Sequence, residues 1–99
     1  MCNVRLSWKI KWNNALLGKT KDFVFLDRIK YFLRDDLNME YLKENDHHTT
    51  DDRGQIKYYD IVVDGKVYKN GAWSYMDYQT YSKDYSNYIA FDEDVYMST

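Results

Sequence analysis

Asp46, His47, His48, Asp51 and Asp52 crowd one polar stretch and include the oxygen and imidazole donors that metal ions use. Their spacing does not make a site. Adjacent histidines on one loop cannot easily share an ion, and no established ligand interval is present. Catalysis by a His/Asp pair from this stretch would also need a nucleophile and a formed pocket, and the sequence offers neither. Cys2, the single cysteine, has no identifiable activating neighbour, so a catalytic thiol is not indicated. The four glycines are isolated and form no phosphate-cradling loop. The expectation is no metal, no cofactor and no enzymatic activity.

Charge offers a different chemistry. Arg5, Lys9 and Lys11 recur at even spacings beside Val4, Leu6, Trp8, Ile10 and Trp12. On a strand this alternation puts the basic groups on one face and the large apolar groups on the other. Lys19 and Lys21 follow. Such a face can neutralise phosphates or meet an acidic protein. The tryptophans share the apolar face, so they belong to the core and not to a base-stacking platform. A protein partner is therefore expected, an acidic one where this face does the binding, with nucleic acid on the basic N-terminal third as the alternative.

Tyr75, Tyr78, Tyr81, Tyr85 and Tyr88 form the second candidate surface. Their spacing of three and four residues is helical. Ser74, with Asp77 three residues on, resembles a helix-start capping box. Tyrosine provides large contact area at low entropic cost, so tyrosines left over after packing suit an interface. Asp84 lies among them and adds charge complementarity. The expected partner-binding set is Tyr75, Tyr78, Tyr81, Tyr85, Asp84, Arg5, Lys9 and Lys11.

The elements that must position these groups read as a single α+β domain over residues 1–99. Val4 to Trp12 is the first strand, and a one-residue slip would bury its charges. Asn13-Asn14 signals a turn, Gly18 ends the link, and Lys21 to Phe25 is the expected hairpin partner. Leu26, Ile29, Leu33 and Leu37 repeat at helical intervals, with Asp27 near the helix start and Arg28, Lys30 and Arg34 solvated. Asn38 to Glu44 fits helix or strand. Asn45 to Gln55 reads as an exposed loop. A hairpin spans 56–69 around Asp64-Gly65, a pair that tolerates positive φ, and Asn70-Gly71 signals another turn. Ile89 to Met97 is apolar but interrupted by Asp92-Glu93-Asp94, which fits a short terminal strand. The expected fold is a small antiparallel sheet packed against one or two helices.

Overall charge bounds the partners further. The net charge of −2 hides a basic start: residues 1–34 hold eight Lys/Arg against two acidic groups, and residues 35–99 six against fourteen. This polarity can steer association. A lone cysteine fits a reducing compartment, and no apolar run reaches membrane-spanning length, so a cytoplasmic protein without membrane contact is expected. Abundant Tyr, Asn, Lys and Asp with scarce Pro, Ala, Gly and Arg match an AT-rich genome, as in a bacteriophage or a low-GC bacterium. Small phage proteins often bind and disable a larger host protein, so an inhibitor or modulator role is the functional expectation.

Overall fold

The computed structural model describes residues 7–99, so Cys2, Val4, Arg5 and Leu6 lie outside the described residues. Among the described residues nine strands form two antiparallel sheets. They are β1 (Trp8–Trp12), β2 (Ala15–Thr20), β3 (Phe23–Leu26), β4 (Ile29–Leu33), β5 (Leu42–Asp51), β6 (Gly54–Val63), β7 (Lys66–Tyr75), β8 (Tyr88–Phe91) and β9 (Tyr96–Ser98). One sheet has the order β2-β1-β9 and the other β3-β4-β8-β7-β6-β5. The α+β expectation is overturned, because helical structure among the described residues is confined to 3-10 turns at Arg34–Asp36, Met39–Tyr41 and Tyr85–Asn87.

The expected helix around Leu26 and Leu33 is the β3–β4 hairpin. Asp27 and Arg28 take φ of +54° and +68°, which reverses the chain in two residues. Leu26 then faces Ile29 across the turn and Phe23 faces Phe32. Of the residues read as solvated, Arg28 is exposed. Lys30 instead lies 4.6 Å from the Trp8 ring centre, and Arg34 donates to the Tyr59 hydroxyl at 2.9 Å.

Other boundaries move for equally local reasons. Asn13 and Asn14, at φ +50° and +64°, do turn the chain, but into β2, which takes the place of Lys21 to Phe25 as partner of β1. Gly18 lies inside β2, where the strand is bridged to Leu37. A β-carbon at Gly18 would sit 2.5 Å from Leu37 Cδ2 and 3.0 Å from the Asp36 backbone oxygen. Gly18→Ala is therefore expected to cost about 1–3 kcal/mol by overpacking, measurable as a lower melting temperature.

The supposed loop at Asn45 to Gln55 is mostly strand, covering the outer part of β5 and the start of β6. β5 is an edge strand with one buried residue, Leu42, so it carries the polar composition that also marks loops. Asn38 to Glu44 divides between a 3-10 turn and the start of β5. Asp64-Gly65 makes the expected reversal at φ +50° and +79°. Asn70-Gly71 does not turn the chain. Asn70, at φ +56°, lies within β7 where Lys69, Asn70 and Gly71 bulge against Asp60 alone, and its amide N–H donates to Asp60 Oδ1 at 3.0 Å.

The main core lies between the sheets. Ile10 and Leu17 of the small sheet pack with Phe32, Ile61, Ile89 and Phe91 of the large one. Trp8 and Trp12 are partly buried against this cluster. The other face of the large sheet carries a second cluster of Tyr31, Ile56, Tyr75, Tyr88 and Ala90. Arg53, in the turn after β5, pairs with Asp27, in the turn after β3, at 2.7 and 3.2 Å. Since β3 and β5 are opposite edges, this pair ties the sheet's two margins together over the second cluster.

Candidate partner-binding site

β1 is the central strand of the small sheet, and alternation sends Ile10 inward and Lys9 and Lys11 outward. Between Ile10 and Lys11 the register shifts, so that Ile10 pairs with Gly18 and Lys11 with Leu16. This shift leaves Lys9 directly opposite Lys19. On the other flank Lys9 faces Ser98 and Lys11 faces Tyr96. The outer face therefore presents two cross-strand rows, Ser98–Lys9–Lys19 and Tyr96–Lys11–Leu16. Tyr96 is 63% exposed and Leu16 40%.

Like charges directly opposite one another destabilise a sheet. Among the described residues, Lys9, Lys11 and Lys19 make no ion pair with a carboxylate. Among the described residues no carboxylate lies within ion-pair distance to offset the repulsion between Lys9 and Lys19.

Three shallow clefts run across this face. The first, about 280 Å³, is lined by Lys11, Trp12, Asn13, Asn14, Asp94 and Tyr96. The second, about 490 Å³, shares Lys11 and Asn14 with it and adds Lys9, Leu16 and Lys19. The third, about 440 Å³, shares Lys19 and continues past Thr20 and Lys21 to Asp36. Shared walls make them one groove. Its first end is fixed by the Asn13-Asn14 turn, whose Asn13 Nδ2 donates to the Val63 carbonyl of the large sheet at 3.1 Å.

The family described as a domain of unknown function, DUF427, matches residues 3–99. The chain belongs to this family. No curated protein matches it. The DUF427 match spans both sheets and every residue of the groove.

In this DUF427 domain the other expected binding residues have different surroundings. Arg5 lies outside the described residues. Tyr75 is 3% exposed and stacks on Tyr31 at 6.2 Å between ring centres. Tyr78 meets Tyr75 at 5.5 Å and Tyr85 at 5.0 Å, and Tyr85 reaches Tyr88 at 6.4 Å. The tyrosines do assemble, but as a ring stack on the large sheet and not along a helix. Ser74 ends no helix; its hydroxyl donates to the Tyr75 carbonyl at 3.1 Å. Tyr81 stands apart, fully exposed in the short reversal closed by the Thr80 N–H to Lys83 carbonyl bond of 2.8 Å. Asp84 begins the 3-10 turn at Tyr85, accepting from the Ser86 hydroxyl and backbone amide. Those two bonds hold its carboxyl below the usual range.

The histidine stretch is distributed along β5. The His47 ring packs 4.6 Å from Tyr58, and His48 Nδ1 lies 3.1 Å from the Asp46 carbonyl oxygen. Asp51 accepts from the Tyr75 hydroxyl at 2.5 Å, which is the main reason its carboxyl is shifted down. Among the described residues no helix is long and apolar enough to cross a membrane.

Lys19, Leu16, Asn14 and Tyr96 complete the groove. Lys19 had a signal, since it follows the first strand in a basic series. Tyr96 had a weaker one: Val95, Tyr96 and Met97 alternate, and the structure buries Val95 while exposing Tyr96.

Proposed function

We propose that the protein is a binding domain that recognises an acidic surface on a larger protein through the outer face of the small sheet. The observation that carries this reading is the direct opposition of Lys9 and Lys19 without a carboxylate partner. A sheet that keeps two like charges face to face loses stability, and an anionic partner removes that cost on association. Lys11 extends the patch along β1. Trp8 and Trp12 are both partly buried against the core, so the face offers only the accessible part of Trp12 at one end of the groove and not the row of rings that single strands stack on, which favours a protein over nucleic acid. Binding without catalysis, occlusion of the partner's acidic surface and a cytoplasmic setting complete the proposal, the last consistent with the single cysteine.

The test is charge reversal. The Lys9→Glu/Lys11→Glu/Lys19→Glu variant is expected to stay folded by circular dichroism, since all three side chains point away from the core. Affinity capture from the native host should recover an acidic protein with the wild type and lose it with the variant. Surface plasmon resonance with that protein should place the loss mainly in the on-rate, with a steep salt dependence. Capture of the same protein by a folded triple variant would overturn the proposal. A gel shift of DNA or RNA at micromolar protein, abolished by the same substitutions, would replace the protein partner with nucleic acid.

A further inference from the structure

The groove also carries information about the shape of what fills it. We propose that its occupant is an extended acidic segment in which acidic residues fall at alternate positions and an aromatic residue follows two positions after the last acid. This inference rests on the acidic-partner reading above.

The spacing comes from β1 itself. Lys9 and Lys11 are two residues apart on one face, a repeat of about 6.7 Å. An extended peptide lying along that face repeats its own same-side side chains at the same interval. One carboxylate can then sit between Lys9 and Lys19, which are cross-strand neighbours, and the next can sit over Lys11. The third same-side position falls beyond Lys11, in the cleft at the Asn13-Asn14 turn.

That cleft rejects a third acid. Asp94 lines it, and a carboxylate brought against Asp94 meets a like charge. Lys11 lines it too, but its charge is already met by the second carboxylate, and the remaining walls are Trp12, Tyr96 and the two asparagines, a mixture of ring surface and amide donors and acceptors. A neutral aromatic side chain buries its ring against such walls and turns a polar tip to the amides or to Asp94. Tyr96 has free ring surface to serve as the contact, being 63% exposed and directly opposite Lys11. The volume of about 280 Å³ admits one ring.

Fluorescence anisotropy with labelled decapeptides tests this. The first carries glutamate-serine-glutamate-serine-tyrosine at its centre, the second has alanine for the tyrosine, and the third has the same residues with the two glutamates adjacent. The first should bind about tenfold more tightly than either of the others, the size of a single well-filled anchor. Tyr96→Ala should remove the advantage of the first peptide over the second and leave the second unchanged. Lys9→Glu/Lys19→Glu should abolish binding of all three.

The failures are distinguishable. If all three peptides bind equally and charge reversal abolishes each, the acidic-partner reading stands and the alternating aromatic motif is overturned. If no peptide binds, or binding survives charge reversal, both are overturned. If a single-stranded oligonucleotide of equal charge binds more tightly than the first peptide, the occupant is nucleic acid and the peptide proposal fails.

Discussion

Phe32→Ala is expected to cost about 3–5 kcal/mol, as for other fully buried phenylalanines. A small domain holds only about 5–15 kcal/mol in total, so the variant should be largely unfolded near its growth temperature or lose much of its urea midpoint. Phe32 has no exposed surface and lies between the two sheets. Its ring is 6.2 Å from Phe23 and 6.3 Å from Phe91. It joins β3, β4 and β8 to the core that Ile10 and Leu17 complete from the small sheet.

Phe25 provides the control. It alternates to the same side of the large sheet as Phe23 and Phe32, but it is 59% exposed. Its partners are Phe23, at 5.5 Å, and the Lys30 ammonium, at 5.4 Å. Phe25→Ala should therefore cost no more than about 1 kcal/mol. If Phe25→Ala proved the more damaging of the two, the small sheet would have to cover the β3–β4 turn and not Phe32.

These two phenylalanines also show where sequence reading stops. Alternation in β1 identified the inward tryptophans and the outward lysines because every position from Trp8 to Trp12 agreed with a period of two. Asn13-Asn14 and Asp64-Gly65 were legible because their residue types tolerate positive φ. The β3–β4 hairpin was not. A two-residue turn places its flanking residues three apart, the same interval as one helical turn, so Leu26 and Ile29 satisfy both patterns. Arg28, at φ +68°, is an unusual turn residue and gave no warning.

The tyrosines repeat this ambiguity over a longer span. Tyr75, Tyr78, Tyr85 and Tyr88 have helical spacing, yet a chain that reverses near Thr80 crosses the same patch twice and meets the same intervals. Edge position hid β5, whose polar residues are what an exposed margin requires. At the groove, Lys9 and Lys11 could be found from local pattern alone. Their juxtaposition with Lys19 and Tyr96, each weakly signalled on its own, depended on a bulge and on pairing between distant parts of the chain, which local pattern does not set.

Alkaline pH should weaken the fold. Burial pushes the Tyr68 hydroxyl up to about 12, helped by the bond it donates to Asp92 at 2.6 Å. Tyr75 is raised as well, first by burial and then by donating to Asp51. Tyr31 is raised by burial, partly offset by the Trp73 indole that donates to its oxygen at 3.3 Å. In the unfolded chain all three ionise near 10.0. Above that pH the unfolded state has released protons that the folded state still holds, so unfolding is favoured. The stability these phenols contribute is complete below pH 10.0 and is lost as pH rises toward the folded-state values, about 12 for Tyr68.

Melting temperature should accordingly be flat from neutral pH to about 10 and fall steeply above it. The part of the phenolate absorbance that is lost on Tyr68→Phe with Tyr75→Phe should rise together with loss of the β-sheet signal and not before it, because those two hydroxyls ionise on unfolding. Tyr68→Phe combined with Tyr75→Phe removes two of the three groups. At neutral pH the double variant should lose about 1 kcal/mol per hydrogen bond, the ordinary net value. Above pH 10 it should lose stability more gradually than the wild type, so the two melting curves converge as pH rises. An unchanged alkaline slope in the double variant would mean that Tyr68 and Tyr75 ionise as freely in the fold as in the unfolded chain. Their bonds to Asp92 and Asp51 would then not persist in solution.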